Sequence, residues 1–176
     1  METSHRNSGD KRLRKRLIQQ IEAGRLTLLI LAAVSLVNQI LLICNVNYHL
    51  LLSMASPYYL NWLNIELSKQ GSTGVYGFFA VLLTIVVYIA LLACWLMSGQ
   101  SKQWLAAAFG IYALDTVLLV VFTTLLKNPA SCLLEVVTHC VVLAVLYNAL
   151  RSAEKLSKLP RRRRVRPEEN VPIAVE

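Results

Sequence analysis

Charge is what this sequence has least of: 16% of its 176 residues are Asp, Glu, Lys or Arg, against 56% hydrophobic. An ordinary soluble domain needs more polar surface than that, so a membrane protein is the default reading. No C-x-x-C pair occurs, and Cys44, Cys94, Cys132 and Cys140 lie too far apart in sequence to suggest a metal site. H-E-x-x-H, G-x-S-x-G and a glycine-rich phosphate loop are also missing, and neither a catalytic role nor a cofactor is expected. Thr138-His139-Cys140 does not restore one. Neighbouring residues of a helix point about 100° apart, so this cysteine and histidine do not form a nucleophile and base. Positive charge, finally, is scarce between the two ends. Of 18 Lys and Arg, only Lys69, Lys102 and Lys127 fall between Arg25 and Arg151.

The net charge of +8 is therefore a property of the ends. Basic ends around an apolar middle point to anionic lipid headgroups as partners and away from nucleic acid. Residues 1–25 form a basic cytoplasmic segment. From Asp10, a plausible N-cap, Leu13, Leu17, Ile18 and Ile21 fall on one helical stripe, with Lys11, Arg12, Arg14, Lys15 and Arg16 around it. Such a helix either lies in the headgroup layer or serves as a collar that fixes orientation. Gly24 is placed to turn the chain from the surface into the first span. Residues 151–176 form the other basic end: a helical continuation to Pro160, then Arg161, Arg162, Arg163, Arg164 and Arg166, then a proline-punctuated tail expected to be disordered.

Residues 26–150 carry four apolar runs of about the length a bilayer core requires, roughly 20 residues each. They cover 26–44, 75–97, 104–126 and 130–150. The first competes with a signal-peptide reading, because Leu41-Leu42-Ile43-Cys44 is faintly like a lipoprotein cleavage box. Ile43 is too bulky before such a cysteine, however, and the basic lead-in is too long. The third opens with Ala106, Ala107, Ala108, Gly110 and Ala113, small residues that permit close helix approach. The expected fold is an all-α integral membrane four-helix bundle with a basic amphipathic amino-terminal helix.

Asn45 to Gly74 is the longest connection. Leu50 to Leu60, reading LLSMASPYYL from Leu51, is too short to span, and Pro57 is expected to interrupt any helix there. With Tyr48, Tyr58, Tyr59 and Trp62 it reads as a short interfacial or re-entrant element in the first external loop. A second amphipathic turn follows, with Asn61, Asn64, Glu66 and Lys69 toward water. A first span leading into a loop of this kind resembles small multi-span bacterial membrane proteins that remain uncharacterised. That resemblance implies a bacterial plasma membrane and brings no site with it.

With both termini cytoplasmic, the basic ends and Lys102 fall inside, leaving only Lys69 and Lys127 outside. Cys44 and Cys132 then share the outer face, either as a disulfide or as two interfacial thiols.

Chemistry, if there is any, belongs to the acid at the middle of the third span. Asp115 lies near mid-depth, His139 reaches a similar depth on the fourth span, and Glu135 stands one turn above His139, near enough the interface to meet water. Asn38 and Tyr88 lie near mid-depth on the first two spans, so one polar layer drawing on all four helices is expected. It serves either as interhelical glue or as a proton or cation relay, because a charge at that depth costs about 2.5–3.5 kcal/mol and does not face lipid. Two main functions follow. One is a non-enzymatic accessory or assembly component that contacts itself or another membrane protein; the other is a small transporter or channel subunit using Asp115 and His139. A third makes the basic ends a sensor of lipid or nucleic acid.

Overall fold

The computed structural model describes residues 2–46, 48, 50–71, 74–125 and 129–159. It is all helical among these: α1 (Glu2–Ile43), α2 (Ala55–Lys69), α3 (Gly74–Met97), α4 (Lys102–Leu125) and α5 (Pro129–Lys158). Four of them, all but α2, are long and apolar enough to cross a membrane. Exposed Phe78, Phe79, Leu82 and Ile85 on α3 and Leu114 and Val117 on α4 give the bundle an apolar outside, the inverse of a water-soluble one.

The four long helices alternate in direction along the chain, α1 and α4 one way and α3 and α5 the other. At one end Gly24 of α1 lies against Ala149 of α5, and Arg25 Nε donates to Ser98 Oγ at 3.1 Å at the close of α3. At the other, Tyr59 stacks on Phe122 with ring centroids 5.5 Å apart, and Thr138 Oγ1 donates to the Leu51 carbonyl at 3.3 Å. Thus the start of α1, the α3–α4 turn and the end of α5 share one end of the bundle. Leu28, Leu31, Leu91, Ala108, Tyr112 and Leu146 form the core, joined by Met54 from the connection before α2.

Gly24 does not turn the chain, contrary to expectation: α1 is one helix through it. A methyl group at Gly24 would overlap that of Ala149, so the glycine is there for close approach. The basic segment consequently does not lie apart on a surface but continues α1 along α5, where Ser152 Oγ donates to Gln20 Oε1. Of its apolar stripe, Leu17 is buried, whereas Leu13 and Ile18 are exposed. The small residues at the start of α4 also divide. Ala108 is buried, but Ala106, Ala107 and Gly110 face outward, and nothing lies within 4 Å of a Cβ built on Gly110.

α1 ends in a Schellman motif. Asn45 takes the left-handed conformation at φ 58°, Val46 N–H donates to the Leu41 carbonyl at 3.0 Å, and Asn45 N–H donates to that of Leu42 at 3.1 Å. The chain then folds back along α1. Asn38 Nδ2 donates to the Leu50 carbonyl at 2.9 Å and to Ser53 Oγ at 2.7 Å, while Asn38 Oδ1 accepts from Leu50 N–H at 2.9 Å. Ser53, Met54 and Ala55 end up fully enclosed at mid-bundle, and α2 climbs from there back to the end it came from.

Candidate functional site

The centre of the bundle holds the start of α2, and every backbone donor there is accounted for. A helix leaves its first four N–H groups without intrahelical partners. Met54, at the N-cap, has no side-chain oxygen and makes no capping bond of its own. Instead Met54 N–H donates to Ser35 Oγ of α1 at 2.7 Å, Ala55 N–H to Asp115 Oδ2 at 3.0 Å, and Ser56 N–H to Asp115 Oδ1 at 2.8 Å. The fourth position is Pro57, which has no N–H to satisfy. Proline is favoured in a first helical turn for that reason, so Pro57 opens α2 instead of interrupting a helix.

Asp115 thus caps a helix to which it does not belong, with both carboxylate oxygens engaged by backbone. The positive end of α2's dipole faces the same group and adds to the attraction. Asp115 is 1% exposed and His139 is 0% exposed, so neither meets solvent.

His139 completes the cluster from α5. Its Nδ1 lies 2.9 Å from the Glu135 carbonyl, which can only accept, so that nitrogen carries a proton. Its Nε2 faces Asp115 Oδ2 at 3.3 Å. This second contact needs a proton of its own, held by the imidazole or by the carboxyl group. Tyr112 fixes the ring plane by stacking on it, with centroids 5.0 Å apart and planes 10° from parallel.

The remaining candidates are distributed differently from the single layer expected. Asn38 does not reach Asp115; it clasps the descending loop, as described above. Tyr88 keeps its hydroxyl buried, with the Gln39 side chain as its polar neighbour. Glu135 is 4% exposed, too enclosed to meet water, and its Oε2 accepts from Tyr59 Oη at 3.4 Å. Asn61, expected to face water, points inward, donating to Gln39 Oε1 at 2.9 Å and to Thr84 Oγ1 at 3.0 Å. Ser35, Gln39 and Ser53, unremarked in the sequence, together with Asn61 and Thr84, are as much part of the polar interior as the charged residues. The one sequence signal for them was a cap position before Pro57 with no capping side chain.

Lys11, Arg12, Arg14, Lys15 and Arg16 lie on the exposed part of α1. Arg161, Arg162, Arg163 and Arg164, with the whole expected disordered tail, fall outside the described residues, as do Lys127 and the side chain of Cys132. Cys44, Cys94 and Cys140 are free thiols.

No family model, no curated protein and no solved structure matches this chain.

Proposed function

We propose that this chain is a non-enzymatic, multi-pass protein of the plasma membrane with both termini cytoplasmic, serving as an accessory or assembly component through helix contacts with itself or another membrane protein. The carrying observation is where the one acid in the middle of a long apolar helix is used: the Asp115 carboxylate is occupied by the Ala55 and Ser56 N–H groups. A carboxyl group so engaged serves architecture. It holds a half-length helix inside the bundle, where irregular backbone is tolerated only when buried in protein. The basic ends supply contacts to anionic headgroups.

The test has two arms on one preparation. Purified chain in vesicles should carry no more proton flux than empty vesicles, and Asp115→Asn should lower thermal stability in detergent. Crosslinking in native membranes should also yield a discrete larger species. A lone monomer with Asp115-dependent flux would sink this reading.

That outcome would favour a second reading, a small proton transporter. Its support is the Nε2 to Oδ2 contact, which requires a proton, with Glu135 one turn away and Tyr59 beyond it.

A further inference from the structure

Each nitrogen of the His139 ring meets an acceptor, Nδ1 the Glu135 carbonyl at 2.9 Å and Nε2 the Asp115 Oδ2 at 3.3 Å. A carbonyl oxygen never supplies a proton, and a neutral imidazole carries only one. Two contacts need two. The second proton sits on the ring, giving imidazolium against carboxylate, or on Oδ2, giving two neutral groups. In both forms the pair holds one proton more than a neutral histidine beside an ionised aspartate.

The ring cannot turn away from this requirement. Its plane is held by the stack on Tyr112, and His139 is 0% exposed, so solvent does not replace a lost hydrogen bond. Without the extra proton, a ring hydrogen kept on Nδ1 turns the Nε2 lone pair onto Oδ2. A ring hydrogen moved to Nε2 turns the Nδ1 lone pair onto the Glu135 carbonyl. Either arrangement sets two acceptors against each other in an enclosed site, where an unmet polar contact is costly. Asp115 also accepts from the Ala55 and Ser56 N–H groups, so one carboxyl group carries both the proton contact and the start of α2.

We infer that the Nε2 to Oδ2 contact is a binding site for one proton from solution, and that its occupancy latches the start of α2 into the bundle. The latch depends on the architectural use of Asp115 proposed above, not on transport. In a free chain aspartate ionises near about pH 3.9 and histidine near about pH 6.5. Docking the start of α2 therefore takes up a proton above about pH 6.5. The docked form then binds more protons than the released form, so docking weakens as pH rises, by at most about tenfold per unit. Below about pH 6.5 the released histidine is protonated as well, and the dependence levels off. Other titratable groups near the pair are Tyr112 from α4, Glu135 and Cys140 from α5, Tyr58 and Tyr59 from α2, and Tyr88 from α3. Leu26 to Ile43 of α1 contains none. Tyrosine and cysteine ordinarily ionise above about pH 8, which leaves Glu135 as the group to control for.

The test is hydrogen–deuterium exchange of the full chain in lipid nanodiscs at about pH 6 and about pH 8, each rate being compared with that of an unstructured peptide at the same pH. A peptide covering residues 53–60 reports the Ala55 and Ser56 N–H groups. Its protection should fall at least about fivefold at the higher pH, and by no more than the roughly 25-fold that one proton allows, while that of α3 holds. His139→Gln, which donates without titrating, and His139→Phe, which keeps the stack, should each remove the dependence; Glu135→Gln should keep it. Equal protection of the unsubstituted chain at both pH values would overturn the proton site. So would a dependence that survives both His139 substitutions or that Glu135→Gln abolishes. Asp115→Asn should lower protection of the same peptide at both pH values. Protection unchanged by Asp115→Asn would overturn the capping role itself, and the latch with it.

Discussion

Asp115 has three neighbours that donate or share a proton, and they are not equivalent. Ala55 and Ser56 N–H have no alternative acceptor, whereas His139 keeps its bond to the Glu135 carbonyl whatever happens at Asp115. Asp115→Ala leaves two buried backbone donors unmet, and at about 1–3 kcal/mol for each such group the expected loss is about 2–6 kcal/mol. Asp115→Asn retains one acceptor oxygen and should lose about half as much. His139→Phe keeps the stack on Tyr112 and leaves the cap in place, so it should cost less than Asp115→Ala. Denaturation of the three variants in one detergent would check the order; His139→Phe as the worst of them would mean that the ion contact, not the cap, holds the centre together. Pro57→Ala should also destabilise, by about 1–2 kcal/mol, although alanine is the better helix former. It adds an N–H in an enclosed site where both oxygens of Asp115 are already taken. A neutral or stabilising result by the same measurement would contradict the donor count given for α2. Asp115 was recognisable from the sequence as the residue that matters, because a lone acid in an apolar run has to find a partner. Of its partners His139 was recognisable, whereas the two that occupy both carboxyl oxygens are backbone and the candidates considered were side chains.

At the level of the element, two glycines make opposite predictions. Gly24 sits against Ala149, so Gly24→Ala should overpack the α1–α5 contact and cost about 1–3 kcal/mol. Combining it with Ala149→Gly should recover most of that loss, which a double-mutant denaturation series would show. Gly110→Ala enters open space inside α4 and should stabilise by about 0.5–1 kcal/mol. From sequence the expectation was the reverse, a turn at Gly24 and a close contact at Gly110. A glycine's role depends on what faces it, and no local pattern carries that. Helix limits were more legible. The apolar runs 75–97 and 104–126 correspond to α3 and α4 within two residues at each end. Asn45 was a missed signal of the same local kind, since asparagine after a helix often takes the left-handed conformation that ends it.

For the whole molecule, the described helices place the start of α1 and the end of α5 at one end, with the α3–α4 turn and its Lys102. On the function proposed above, the distribution of lysine and arginine makes that end the cytoplasmic one. Reporters fused at residue 1 and residue 176 should both read as cytoplasmic, and one inserted in the α2–α3 turn at Gly71 should read as external. Opposite readings for the two termini would leave an odd number of crossings, which four helices cannot make. α2 would not alter this count, because it enters and leaves on the same side.

Which segments become apolar rods, how many there are, and which ends carry positive charge are legible along the chain, because the length of an uncharged run and the position of lysines are local quantities. The path of the connection before α2 is not local. It depends on Ser35, Asn38 and an aspartate 60 residues further on, each meeting backbone groups that a helix start cannot satisfy for itself. Buried N–H groups have to be matched wherever an acceptor can be brought within 3 Å, and the acceptor is chosen by packing.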